Sequence, residues 1–140
     1  MRHKRFVRLL ALLGAFAMIV AACGGAGNEA DMVGVGAECA AATDCPVLAC
    51  DVDPCPVLDC LPQFSGGYCG LTGCAGDVDC PMGSACVAHT DGVNYCFRLC
   101  LDKAECNINR SVDVQSNCSA SVTFVEPQSA KACIPPSSGL

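Results

Sequence analysis

Residues 74–86 read Cys74-Ala75-Gly76-Asp77-Val78-Asp79-Cys80-Pro81-Met82-Gly83-Ser84-Ala85-Cys86, and two features of this stretch recur elsewhere in the chain. Five residues separate the first two cysteines, and an acid, Asp79, immediately precedes the second. The same spacing and the same kind of acid occur at Cys39 to Cys45 with Asp44, and at Cys100 to Cys106 with Glu105; Pro46 and Pro81 follow the second cysteine in the first two cases. Recurrence every few tens of residues marks a repeated structural unit. The pattern predicts three linked Cys-rich units, about 39–74, 74–100 and 100–133, sharing junction cysteines: Tyr68-Cys69 with Cys74 closes the first, Tyr95-Cys96 with Cys100 the second. Within the first unit Cys45-Pro46-Val47-Leu48 returns as Cys55-Pro56-Val57-Leu58, so that Cys45, Cys50, Cys55 and Cys60 fall every five residues, as if a local duplication had added one crosslink.

The chain has 15 cysteines in 140 residues, no Trp and only 7 other aromatics, 2 Tyr and 5 Phe. That cysteine usage belongs to an oxidising compartment, and the shortage of large side chains means that crosslinks must supply what the core does not. The expected fold is small and disulfide-rich, with short β-hairpins and loops and little helix, because Pro, Gly and Cys interrupt every candidate helical window. The clearest hairpin turns at Asp91-Gly92, with residues 86–89 on one side and 93–96 on the other. A two-residue turn there pairs Val87 with Cys96 and puts Cys86 and Cys96 on opposite faces, hence with different partners. A second, weaker hairpin is expected to join Val112 and Val114 to Val122 and Phe124 around Asn117.

The N-terminus reads differently. Arg2, His3, Lys4, Arg5 and Arg8 precede an apolar run from Leu9 to Val20, too short for the roughly 20 residues that span a bilayer. Residues 1–22 therefore read as a signal peptide. Val20-Ala21-Ala22-Cys23 resembles the lipobox of bacterial lipoproteins. That resemblance implies a diacylglyceryl group on the Cys23 thiol, cleavage before Cys23 and acylation of the new amine. With Cys23 as the lipid-attachment site, 14 cysteines remain, an even number suited to disulfide pairing: Cys39, Cys45, Cys50, Cys55, Cys60, Cys69, Cys74, Cys80, Cys86, Cys96, Cys100, Cys106, Cys118 and Cys133. Their connectivity is open, since the number of possible pairings is on the order of 10⁵. Several acyl chains suffice for stable anchoring where one does not. Gly24 after the lipidated cysteine resembles lipoproteins released to the outer membrane, where Asp would imply retention in the inner one.

Four of the eight basic residues and none of the 14 acids lie in 1–22, so the mature chain carries a formal −10. Residues 23–97 hold ten acids and not one Lys or Arg, whereas from Arg98 onward four bases face four acids. This balance excludes a nucleic-acid partner. It leaves two readings, an acidic face for a cation or basic partner and a solvated surface that keeps a small protein soluble. Residues 23–38 form the lipidated N-terminus and a flexible Gly- and Ala-rich tether with a reach of roughly 20 Å; the disulfide-rich region spans 39–133, and 134–140 is a flexible tail.

Three chemistries bear on these residues. Thiolate metal centres and redox sites use Cys-x2-Cys pairs, and none occurs here; Cys96 and Cys100 come nearest. Asp51-Val52-Asp53 and Asp77-Val78-Asp79 set carboxylates two apart, which makes Asp51, Asp53, Asp77 and Asp79 candidate calcium ligands, although neither run meets the full loop pattern and Asp in such turns also bonds its own backbone. Past the signal peptide His89 is the lone imidazole, an exposed polar residue beside the hairpin tip, and no catalytic motif accompanies it. Neither a catalytic residue nor a cofactor is assigned. Asn109-Arg110-Ser111 and Asn117-Cys118-Ser119 match sequons that a bacterial lipoprotein would rarely use.

The run Cys74-x5-Cys80-Pro81-x-Gly83-x2-Cys86, followed by Cys96-x3-Cys100, resembles the cysteine-rich modules of Dickkopf-type secreted proteins over about 30 residues, a resemblance of architecture and not of ligand. The leading functional expectation is a non-catalytic lipoprotein of the cell envelope, held to the membrane by its lipid and serving as a binding module for an unidentified protein partner or as a structural one. The alternatives are an inhibitor of an extracellular protease that presents the Thr90–Asn94 tip, and a calcium-dependent adhesion module.

Overall fold

In the computed structural model the described residues are 28–45 and 55–136. Cys23, Cys50, Asp51 and Asp53 lie outside them. The regular elements are short: α1 (Glu29–Val33), β1 (Asp59–Cys60), β2 (Cys69–Gly70), β3 (Ser84–Ala88), β4 (Asn94–Arg98), β5 (Asn117–Ser119), β6 (Thr123–Phe124) and β7 (Ala132–Ile134), with 3₁₀ turns at Ala42–Asp44, Asp77–Asp79, Glu105–Asn107 and Val112–Val114. The chain is thus a small disulfide-rich fold of short antiparallel strands with little helix.

The Cys-x5-Cys motif makes the same object three times. In the first, Asp44 reaches back so that its Oδ2 accepts from the N–H groups of Ala40 and Ala41, both at 2.9 Å, and the backbone closes into a 3₁₀ turn. In the second, Asp79 Oδ2 accepts from Ala75 and Gly76 in the same way. In the third, Glu105 Oε2 accepts from Leu101, while Asp102 Oδ1 takes the N–H groups of Ala104 and Glu105. The acid before the second cysteine is therefore a cap for backbone donors that would otherwise be unpaired.

Each turn is bolted to an antiparallel strand pair by two interlaced disulfides. With Cys50 and Cys55 of the first unit set aside, each unit has four cysteines, and the first bonds the third, in Cys39–Cys60, Cys74–Cys86 and Cys100–Cys118. The second bonds the fourth, in Cys45–Cys69, Cys80–Cys96 and Cys106–Cys133. The third and fourth cysteines stand directly opposite each other across β1·β2, β3·β4 and β5·β7. Cys55 is disulfide-bonded as well. The units consequently close at Cys69, Cys96 and Cys133, and the expectation of shared junction cysteines is corrected. Cys74 and Cys100 each open a new unit, because their partners lie forward in the chain.

Other expectations change with the register. The β3·β4 loop has three residues, Thr90–Gly92: His89 N–H bonds Val93 O, Gly92 N–H bonds His89 O, and Gly92 sits at φ +84°. This left-handed third residue is the usual way a three-residue loop keeps the strands' twist. One added loop residue moves the pairing by one, so Cys86 faces Cys96 directly and Val87 faces Tyr95. The two cysteines still have different partners, although they share a face. The expected second hairpin does not form. Val112–Val114 is a 3₁₀ turn; β5 pairs with β7, and β6 pairs with β3 to give the sheet order β4-β3-β6. The Asn107 amide brackets Ser116 from both sides, accepting from its N–H and donating to its carbonyl, which feeds Cys118 into register with Cys133.

The tether expectation is overturned for residues 28–38. Asn28 caps α1 through Asp31 N–H, and Gly34, at φ +81°, ends it. Ala30 and Val33 are fully buried, and Val35 and Ala37 nearly so. The segment touches every unit: Gly36 N–H bonds Cys69 O and Cys69 N–H bonds Ala37 O; Ala30 N–H bonds Met82 O; Glu38 N–H bonds Asn109 O. It is a strap laid across all three. The tail expectation fails likewise up to Pro136, whose carbonyl accepts from Ser65 N–H, with Ala132 and Cys133 buried in β7.

The strap completes a single core with Leu58, Leu61, Phe64 and Tyr68 of the first unit, Val87, Tyr95 and Phe97 of the second and Ala132 of the third. Phe64, Tyr68 and Phe97 meet edge to face at centroid distances of 5.2–6.0 Å, the geometry that ring quadrupoles favour. Arg110, 8% exposed, lies under this core; its Nε donates to Val114 O, Nη1 to Gly36 O and Gly67 O, and Nη2 to Ser65 O. One guanidinium thereby joins the strap to the first and third units and satisfies four carbonyls.

Gly67 is the tightest point. It sits at φ +65°, and a Cβ there would lie 2.1 Å from Cys39 O and 2.7 Å from Cys39 Sγ. Gly92, also at positive φ, has open space around it. Gly67→Ala is expected to cost at least about 3 kcal/mol, combining left-handed strain with overpacking, against about 1 kcal/mol for Gly92→Ala. Guanidinium unfolding of the oxidised variants measures both; equal losses would contradict the packing described.

Candidate functional site

The sequence candidates among the described residues are occupied. Asp77 Oδ1 accepts from Cys86 N–H at 2.9 Å and its Oδ2 from Gln128 Nε2 at 2.8 Å, while Asp79 caps its turn. The Asp77–Asp79 pair therefore holds the second unit together, and its carboxylates are spent on backbone and amide donors instead of being gathered round a cation. Three groups of cysteine sulfurs also lie close together, at Cys39, Cys45 and Cys69, at Cys74, Cys80 and Cys86, and at Cys100, Cys106 and Cys133. Each of these sulfurs is already in a disulfide, so none is a thiolate ligand.

His89 departs from the exposed residue expected. Its ring packs edge-on against Phe64 and Tyr95, at 5.5 and 5.6 Å, and Nδ1 lies 3.2 Å from Asp91 Oδ1. Asp91 Oδ2 accepts from the Tyr95 hydroxyl at 2.7 Å, and that hydroxyl accepts from Gln63 Nε2. Burial pushes the Asp91 carboxyl up, but the Val93 N–H, the Tyr95 hydroxyl and His89 outweigh it and hold it below the usual range. Burial and the hydrogen bond to Asp91 push the Tyr95 phenol up. The hairpin tip is thus an ordered turn fastened by four side chains, and Thr90–Gly92 is closed instead of extended.

A well-formed depression lies at the other end of the hairpin. A cleft of about 670 Å³ is lined by Asn28, Asp31, Gly83, Arg98, Leu101, Glu105 and Lys131, among others. Arg98 Nη2 is 2.5 Å from Asp31 Oδ1 in its floor, and Nη1 donates to Glu105 O. A smaller depression shares Asp31 and Arg98 and is bordered by Ile108. No sequence signal links the two chain segments that make the ion pair, since Asp31 lies in the Gly- and Ala-rich stretch before Cys39. The readable signal was Arg98 itself, the first base after a long stretch with none.

The four Lys and Arg side chains among the described residues are thereby accounted for. Arg110 is buried, Arg98 is paired, and Lys103 and Lys131 are exposed. No family model, curated protein or solved structure matches the chain. Among the described residues no helix is long and apolar enough to cross a membrane.

Three carboxyls sit below their ordinary values: Glu38 chiefly through the Ser111 N–H, Asp44 through those of Ala40 and Ala41, and Asp91 as above. A lowered folded-state value gives stability that is complete at neutral pH and is lost as pH falls through that value. The melting temperature is expected to stay level from pH 7 to about 5 and to fall below about 4. Calorimetry across that range checks it; a melting temperature that rises on acidification would contradict these contacts.

Proposed function

We propose that the chain is a non-catalytic lipoprotein of the bacterial cell envelope, anchored through Cys23 and serving as a disulfide-rigid binding or structural module. The observation that carries this reading is the state of the cysteines. All thirteen cysteines among the described residues are disulfide-bonded, which suits an exported protein; an odd total of 15 leaves one cysteine over, and Cys23, at the end of Val20-Ala21-Ala22, is the one whose flanks suit lipid attachment. The tight linkage of His89, Asp91 and Tyr95 favours a recognition surface over a catalytic group, since each side chain holds another in place. Gly24 favours the outer membrane as the destination. The partner is a protein, reached through preordered loops that lose little entropy on binding.

Intact-mass analysis of the protein recovered from a bacterial host tests the anchor. The expected mature chain begins at Cys23, carries acyl mass on that residue and gains 14 protons on full reduction, and Cys23→Ala leaves the membrane fraction. A chain cut elsewhere, or one with an unmodified Cys23, would overturn the reading.

A further inference from the structure

We infer that the face bearing Met82, Leu101 and Ile108 lies against the lipid headgroups, with the β3·β4 hairpin standing away from the membrane; the inference rests on the anchor reading above. Four residues separate Cys23 from Asn28, five Cα–Cα steps with a reach of at most about 18 Å. Asn28 is not remote from this face but part of it, because it lines the cleft beside Gly83, Leu101 and Lys131. A lipid on Cys23 therefore delivers that cleft, and not the hairpin tip, to the bilayer.

The chemistry of the face suits such a surface. Leu101 is 82% exposed, Met82 73% and Ile108 70%. Leu101 borders the larger depression and Ile108 the smaller, both of which share Asp31 and Arg98, and the Met82 backbone is tied to the same helix by Glu29 Oε2 and Ala30 N–H; Val57, Val78 and Val112 are as exposed but line neither depression. Exposed apolar side chains gathered round one point mark a surface that meets something less polar than water. Both exposed cations are here too. Lys131 lines the cleft, and Lys103 sits on the loop between Leu101 and Glu105, which also line it. A chain of net −10 would be repelled by anionic headgroups over most of its surface, and here Arg98, Lys103 and Lys131 offset most of the charge of Glu29, Asp31, Asp102 and Glu105 and leave this face less acidic than the chain as a whole. Of the nearby acids, Asp31 is ion-paired with Arg98, whereas Glu29, Glu105 and Asp102 accept from backbone N–H groups and keep their charge.

Orientation follows from the strand. Ser84 faces Arg98 at the base of the hairpin, where Gly83 and Arg98 line the cleft, and the tip lies about 20 Å away along β3 and β4. The His89–Asp91–Tyr95 cluster is then the part most distant from lipid and free to meet a partner.

The test couples the oxidised chain 23–140 through its Cys23 thiol to a maleimide-headed lipid in vesicles of phosphatidylcholine with phosphatidylglycerol, so that cellular acylation is not needed. Hydroxyl-radical footprinting then reads side-chain access. Oxidation of Met82, Leu101 and Ile108 is expected to fall several-fold against the uncoupled protein, with Val93 at the tip unchanged. In the Leu101→Ser/Ile108→Ser variant, which removes only exposed side chains, Met82 oxidation should return to the uncoupled rate. No protection, protection of Val93, or protection that grows with protein density on the vesicle would overturn the inference, the last pointing to a second copy as the occupant. A chain that docks when coupled but is not acylated in cells would overturn the anchor reading alone; one that is acylated but unprotected would overturn the docking alone.

Discussion

Two disulfides crossing between one 3₁₀ turn and one strand pair are the constraint on which everything else in this protein rests. Each pair closes loops with sequence separations of 12–27 residues, and each bond of that size typically contributes about 2–4 kcal/mol, without simple additivity. Because the third and fourth cysteines oppose one another across a ladder, the two bonds fix the strand register and the seat of the turn together. Strands of two or three residues would not persist unaided. Here they need only be long enough to present two cysteines.

Crosslinked units alone would make three beads on a string. The strap makes them one body, with Ala30, Val33, Val35 and Ala37 filling a seam that all three units line. Arg110 acts from below by drawing carbonyls of residues 36, 65, 67 and 114 onto one guanidinium. A buried cation without a buried carboxylate partner is tolerated because its donors are nearly all satisfied and its charge is spread. The first described residue of the strap, Asn28, lines the cleft, so on the proposed anchoring at Cys23 the element that joins the units would also set which face lies nearest the lipid.

Much of this was legible in the chain. The three Cys-x5-Cys motifs marked the units, and the acid before each second cysteine was visible before its capping role was known. The closing of units at Cys69, Cys96 and Cys133 was not legible, since spacing alone gives no direction of pairing. The hairpin register was missed by one residue because Asp91-Gly92 suits both a two-residue turn and a three-residue loop with Gly92 left-handed, and only the Gly92 N–H to His89 bond distinguishes them. The strap was read as a tether because its core residues are small and separated by Gly34 and Gly36, which weakens any helical or strand period. The cleft was hidden for the same reason, as Asp31 belongs to the strap and Arg98 to the hairpin.

Disulfide mapping of the oxidised protein, by stepwise reduction, alkylation and peptide mass analysis, tests the central claim most directly. The account predicts Cys39–Cys60, Cys45–Cys69, Cys74–Cys86, Cys80–Cys96, Cys100–Cys118 and Cys106–Cys133. A bond between the facing cysteines of a ladder, such as Cys86–Cys96, or any bond joining two units, would contradict it.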